Sequence, residues 1–276
     1  MQKIKRNIPN AITCGNLLCG CLALVKAFEG DLVWAAYLVG IACVLDFFDG
    51  FTARLLGVSS PIGKDLDSLA DMVTFGVVPG VVMYQLMSAT LLPHVLKEAI
   101  FDGDNTVEKI LLNILAFSPF IITIFSAIRL AKFNNDSRQS ESFIGLPTPA
   151  NAIFICSLPL ILEYLLRNGS VVYPPLGGPP GYVEPNLSEL FLYKLISSSI
   201  FLISVTIINS ILLVAPLPLF SLKFKSFGWK GNEIRFVFLG LAVLMLAFLK
   251  FIGIPLVILL YILLSMINNL IAKRAS

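Results

Sequence analysis

Charge is scarce in this sequence. Asp, Glu, Lys and Arg make up 13% of its 276 residues, about half their share in an ordinary soluble domain. Apolar side chains make up 57%, and the mean hydropathy is +0.87. That balance excludes a soluble enzyme and predicts an all-α, polytopic membrane helical bundle. Histidine is nearly missing: His94 alone excludes a His-based metal centre and any triad with an imidazole base. The five cysteines (Cys14, Cys19, Cys21, Cys43 and Cys156) lie in apolar runs without partners at zinc-site spacing. They read as packing residues, not disulfides. A net charge of only +3 argues against a nucleic-acid partner. There is no internal repeat, low-complexity tract or separate soluble domain, so 1–276 reads as a single membrane domain.

Long apolar runs are what the chain has instead. A basic start with Lys3, Lys5 and Arg6 precedes the run 8–28, which has no small-residue cleavage site before Lys26. It reads as a retained first span. Further spans are expected at about 32–48, 66–92, 110–130, 150–166 and 195–217. Pro79, with Gly76 and Gly80, predicts a kink in the third. His94, Glu98, Asp102 and Asp104 mark a polar connection, the Pro- and Gly-rich stretch 168–189 an irregular loop, and Lys223, Lys225 and Lys230 a basic loop. The stretch 234–271 exceeds the roughly 20 residues of one span, and Gly253 and Pro255 divide it in two. The expectation is therefore about eight spans.

Positive charge orients them. With the N-terminus inside, Lys3, Lys5, Arg6, Arg54, Lys64, Lys132, Arg138, Lys223, Lys225, Lys230, Arg235, Lys273 and Arg274 fall on the inner side. Lys26, Lys97, Lys109, Arg167, Lys194 and Lys250 fall outside. Thirteen against six favours both termini in the cytoplasm of a cell membrane protein.

Against this apolar background, the stretch 45–71, LDFFDGFTARLLGVSSPIGKDLDSLAD, stands out. Asp46 and Asp49 are three apart, and Asp67 and Asp71 four apart, so each pair shares one helix face. Two helix ends joined by a Gly/Ser/Pro-containing turn would bring four carboxylates to one point. A charged Asp at mid-membrane costs about 2.5–3.5 kcal/mol on insertion scales. Hydration, the nearby Arg54 and Lys64, or bound Mg²⁺ or Mn²⁺ would offset that cost. Carboxylates from two helices suit a metal pair about 3.5–4 Å apart. Interfacial charges simply meeting water are the plain alternative.

Written as a pattern, the stretch is Asp46-x2-Asp49-Gly50-x2-Ala53-Arg54-x8-Gly63-x3-Asp67-x3-Asp71. It resembles, at all eight positions, the signature of the CDP-alcohol phosphatidyltransferase family. The resemblance implies a six-helix family core at about 8–215 with two extra C-terminal spans. It implies an enzyme that cleaves the pyrophosphate of a CDP-linked lipid or alcohol and releases CMP. It further implies a site of two Mg²⁺ or Mn²⁺ ions held by Asp46, Asp49, Asp67 and Asp71, with Asp71 also taking the proton of the attacking hydroxyl. Gly50, Ala53, Arg54, Ser60 and Gly63 would then meet the CDP-lipid, with Pro9, Asn10 and Thr13 of the first span approaching the nucleotide. Relatives also imply a homodimer. Asp65 lies outside the signature and reads as a solvated helix-start residue.

Three further stretches, IPNAITCGNLLCG, SLADMVTFGVVPG and AIRLAKFN followed by FIGLPTPA, are similar to those of the bacterial and archaeal integral-membrane phosphatidylserine synthases. That likeness implies CDP-diacylglycerol and serine as substrates. A zwitterionic amino acid needs a cation for its carboxylate and acceptors for its ammonium. Arg129 is a candidate for the first, and Asn134 and Thr148 offer polar contacts. Arg129 acting only as a head-group anchor is the alternative. Other acceptors (glycerol 3-phosphate, inositol phosphate or choline) would use the same chemistry, and a membrane cation transporter is the remote rival.

Overall fold

The computed structural model describes residues 2–58, 60–101, 106–135, 143–167, 187–220, 228–229 and 232–275. They form an α-helical membrane bundle with one short strand pair. In chain order the helices are α1 (Gln2–Phe28), α2 (Leu32–Leu56), α3 (Pro61–Asp71), a π-helical turn (Met72–Val77), α4 (Val78–Phe101), α5 (Thr106–Phe117) and α6 (Phe120–Asn135). They continue as α7 (Thr148–Arg167), α8 (Leu187–Ile196), α9 (Ser199–Val214), α10 (Glu233–Leu249) and α11 (Gly253–Ala275). Strands β1 (Phe143–Ile144) and β2 (Pro218–Leu219) pair antiparallel.

Among the described residues, six segments are long and apolar enough to cross a membrane, and α8 with α9 makes a seventh, bent by 64°. The 39-residue segment Glu233–Ile271 folds back on itself. Phe238 and Tyr261 bring their rings to 5.6 Å, although a straight helix would separate them by about 35 Å. Lys250, at φ 50°, and the 3-10 turn Lys250–Ile252 make the reversal. Gly253 fits because a Cβ there would lie 2.6 Å from the Met245 carbonyl oxygen. The division expected at Gly253 is therefore present, and the eight expected spans each find a counterpart.

The bundle is built on small side chains. Pro9, Thr13, Asn16, Gly20, Ala23 and Ala27 form one buried stripe of α1, and Ala35, Val39, Ala42 and Asp49 a buried stripe of α2. Leu18, Leu22, Val25, Ile41, Val44 and Phe47 point outward. In lipid no hydrophobic force drives helices together, so close backbone approach through small residues holds the pair. The segment Pro61–Leu91 and α7 are the centre, with 61% of the most apolar 18-residue stretch buried in each against 28% in α1 and α2.

The π-turn is where neighbouring helices meet, and α1, α3, α4, α6 and α7 all pack on it. The kink predicted at Pro79 resolves into this turn, since proline has no N–H to continue the ladder behind it. Two threonines serve it. Thr123 donates to the Gly76 carbonyl at 3.0 Å, and Thr74 donates to the Asn16 carbonyl at 3.3 Å. A Cβ on Gly20 would lie 2.3 Å from Thr74 Oγ1 and 3.1 Å from its Cα. We expect Gly20→Val to destabilise the fold by about 1–3 kcal/mol, read as a lower melting temperature in detergent.

Several boundaries differ from the sequence expectation. Helix α2 runs past 48 to Leu56, carrying Gly50, Ala53 and Arg54 in helical conformation until Gly57, at φ 61°, ends it. Helix α3 starts at Pro61 because Ser60 caps it, accepting the Gly63 N–H at 2.9 Å. Helix α1 begins at Gln2, so Pro9 is inside it. Helix α4 continues through His94 and Glu98 to Phe101 in place of the expected polar connection. The sixth span breaks at Ser197–Ser198, and its first half already begins at Leu187. The rest of the expected loop, 168–186, lies outside the described residues, as do Asp102, Asp104, Arg138, Lys223, Lys225 and Lys230.

Candidate active site

Helices α2 and α3 bring their carboxylates together, as the spacing requires. Asp46, Asp49 and Asp67 each offer an oxygen within 4.8 Å of the other two. Asp49 is buried, and the other two are half-buried. The Asp71 side chain meets Asp46 and accepts the Asn16 amide N–H at 3.4 Å. Three hard oxygen donors from two helices, crowded with no cation between them among the described residues, fit a divalent ion.

Helix α1 closes the site from the side. The Thr13 hydroxyl donates to Asp49 Oδ2 at 2.7 Å and also sits 3.1 Å from the Pro9 carbonyl. Asn10 reaches the start of α3, where a Cβ on Gly63 would lie 2.9 Å from its Oδ1. A cavity of about 260 Å³ opens beside the carboxylates. Its wall contains Pro9, Asn10, Thr13, Gly50, Ala53, Ser60 and Gly63, all singled out by sequence, together with Asp49, Asp67, Lys64 and Val58. A Cβ on Gly50 would meet nothing within 4 Å, so this glycine's smallness keeps the cavity open instead of packing a helix.

That contrast with Gly20 is testable. Gly50→Leu is expected to fold normally but to raise the KM of the substrate that fills this cavity about tenfold or more, whereas Gly20→Val acts on stability. Thr13→Val is expected to lower turnover about 10- to 100-fold, the worth of one hydrogen bond to a charged group. Assays on purified protein at varied substrate concentration check both.

Arg54 is exposed and is not part of the cavity wall. It leaves the last turn of α2 beside Ala53, where a long cationic side chain is best hydrated. Lys64 donates to the Asn134 carbonyl at 3.0 Å. The Asn134 amide donates to Ser68 Oγ at 2.8 Å and ties α6 to α3. Asp65, read as a solvated helix-start residue, is exposed, while Ser60 is both cap and cavity wall. Arg129 is 7% exposed, in electrostatic contact with Asp71 and with Tyr261 of α11, and lies over the Phe133 ring at 5.9 Å. Thr148 is fully buried at the start of α7. Sequence reasoning passed over Asn151 and Asn209, both buried. Their only signal was an amide standing inside an apolar run.

The sequence model of CDP-alcohol phosphatidyltransferases matches residues 6–176. The chain belongs to that family. This matched stretch contains all four carboxylates and every residue of the cavity wall. Curated relatives of this phosphatidyltransferase are named CDP-diacylglycerol–serine O-phosphatidyltransferase. The one from Bacillus subtilis (strain 168) is 37% identical over 142 residues, 51% of this chain and 69% of that one. The one from Helicobacter pylori (strain ATCC 700392 / 26695) is 30% identical over 198 residues, 71% of this chain and 69% of that one. The one from Methanocaldococcus jannaschii is 30% identical over 163 residues, 58% and 65% respectively. This chain is thus a membrane-embedded transferase of phospholipid biosynthesis, with an acidic cluster suited to an ion.

Proposed function

We propose that this membrane enzyme transfers the phosphatidyl group of CDP-diacylglycerol to the hydroxyl of L-serine and releases CMP. The observation that carries the reading is the meeting of Asp46, Asp49 and Asp67 beside a cavity whose wall holds Asp49, Asp67 and the small motif residues. The relatives' names support serine as acceptor. On this reading the site faces the cytoplasm, where nucleotide-activated lipid and free serine meet, and both termini lie there too.

Asp46, Asp49 and Asp67 would hold two Mg²⁺ or Mn²⁺ ions, with Asp71 completing one shell. When bound, the ions neutralise charge on the pyrophosphate and make the acceptor hydroxyl easier to deprotonate. Gly50, Ala53 and Gly63 leave room for the diphosphate to approach the backbone. Ser60 offers its hydroxyl, and Lys64, on the cavity wall, offers a phosphate partner. Asn10 and Pro9 border the nucleotide, while Thr13 orients Asp49 through its 2.7 Å bond. The serine oxygen forms a bond to the phosphorus that carries diacylglycerol. The bond from that phosphorus to the CMP oxygen breaks, and CMP leaves with the electron pair. Asp71 accepts the serine proton. Arg129 and Thr148 receive the amino acid, and the acyl chains lie in the bilayer.

An acceptor panel tests this. Purified protein with Mg²⁺ or Mn²⁺ and CDP-diacylglycerol should release CMP with serine. Release with only glycerol 3-phosphate, inositol phosphate or choline would overturn serine as acceptor.

A further inference from the structure

Beside the acidic cluster stands a group of buried polar side chains with unmet hydrogen bonds. Arg129 Nε, Ser126 Oγ, Thr148 Oγ1, both side-chain polar atoms of Asn151, and Asn209 Nδ2 have no partner among the described residues. Each of these residues is at most 7% exposed. Folded proteins leave few such atoms, because a buried donor or acceptor without a partner forfeits its hydration for nothing. Several in one region call for an occupant.

Their positions bring them to one depth. Arg129 is in electrostatic contact with Asp71. Cys43 of α2 lies within electrostatic range of Asp46 and Asp71 and, across the helix pair, of Cys156 of α7. Asn151 stands about a turn and a half before Cys156, toward the motif end of α2, and one turn after Thr148. Helix α7 also packs on the π-turn that follows Asp71. The Leu146 N–H donates to the Leu212 carbonyl at 2.8 Å, which fixes the start of α7 against the end of α9. Asn209 stands one turn back along α9, and α9 packs along α6, the helix of Arg129.

We infer that Asn151 and Asn209, with Arg129, Thr148 and Ser126, form the pocket for the zwitterionic backbone of the acceptor amino acid. The donor balance fits such a ligand. One guanidinium and two amide NH₂ groups suit a carboxylate, while the Asn151 carbonyl oxygen and the hydroxyls can accept from an ammonium. A single buried cation, already sharing its charge with Asp71, matches a monoanionic carboxylate better than the dianionic phosphate of glycerol 3-phosphate or inositol phosphate. The inference rests on the serine reading and deepens it by naming residues that discriminate the acceptor.

Asn151→Leu and Asn209→Leu test it, because each keeps the branched shape of the side chain and removes the polar atoms. CMP release is measured with serine varied at saturating CDP-diacylglycerol, and the reverse, alongside melting temperature with and without serine. The KM for serine should rise about tenfold to a hundredfold and that for CDP-diacylglycerol should stay within twofold. The melting temperature should hold or rise, since an apolar isostere relieves an unmatched amide. Serine should stabilise the parent protein and not the variants. Thr148→Val, which conserves volume, gives a second route with the same signature.

An unchanged serine KM, two KM values moving together, or lower stability at constant KM would overturn the pocket and mark a water-filled structural cluster. The serine reading would stand in those cases, because the parent enzyme still uses serine. If the parent protein itself ignores serine, the serine reading fails and the pocket with it.

Discussion

Asp71→Asn is expected to cut CMP release by about 10²–10⁴-fold, the usual contribution of a positioned general base. The substitution keeps the volume of the side chain. It also keeps an oxygen that can accept the Asn16 N–H, now made at 3.4 Å, so the packing of α1 on α3 has no reason to change. What disappears is the ability to take a proton from the acceptor hydroxyl. Single-turnover assays at saturating substrates should therefore show the loss in kcat, with melting temperature within a degree or two of the parent. Near-normal turnover would remove Asp71 from the base role and leave it as a neighbour of Asp46.

Removing the metal should be as severe, and it carries a second readout. Chelation is expected to abolish CMP release, and added Mg²⁺ or Mn²⁺ to restore it. Asp46, Asp49 and Asp67 repel one another across less than 4.8 Å, and a bound cation turns that repulsion into attraction. A metal at a hundred times its Kd stabilises the folded protein by about 2.7 kcal/mol. Asp67→Asn should behave oppositely in two respects. Without metal it relieves repulsion and raises the melting temperature, while with metal it shows little further gain. A parent protein whose melting temperature ignores Mg²⁺ and Mn²⁺ would remove the ion cage.

The acidic site was legible in the sequence because its spacing is local. Three and four residues put carboxylates on one helix face whatever the rest of the chain does, and Gly57, Ser60 and Pro61 supply the stop, cap and start that turn one helix into the next. The boundary at 48 was missed for a local reason too. Gly50 and the Asp–Gly pair look like a helix end in sequence, but backbone bonds inside an apolar setting are satisfied most simply by continuing the helix to Leu56. Asn134 shows the reverse case. Its partner Ser68 stands 66 residues away, so no local spacing announces that contact.

From the residues alone came the membrane bundle, its spans, the family and the four carboxylates, since hydropathy and short-range spacing are properties of neighbouring positions. Only the tertiary structure decided which partners stand across from them, Thr13 on Asp49 and Asn16 on Asp71, and which buried amides, Asn151 and Asn209, keep polar atoms without a partner among the described residues. Those pairings join residues tens of positions apart, and the packing angle of each helix, set by small side chains such as Gly20 against Thr74, determines which polar atom a distant residue meets.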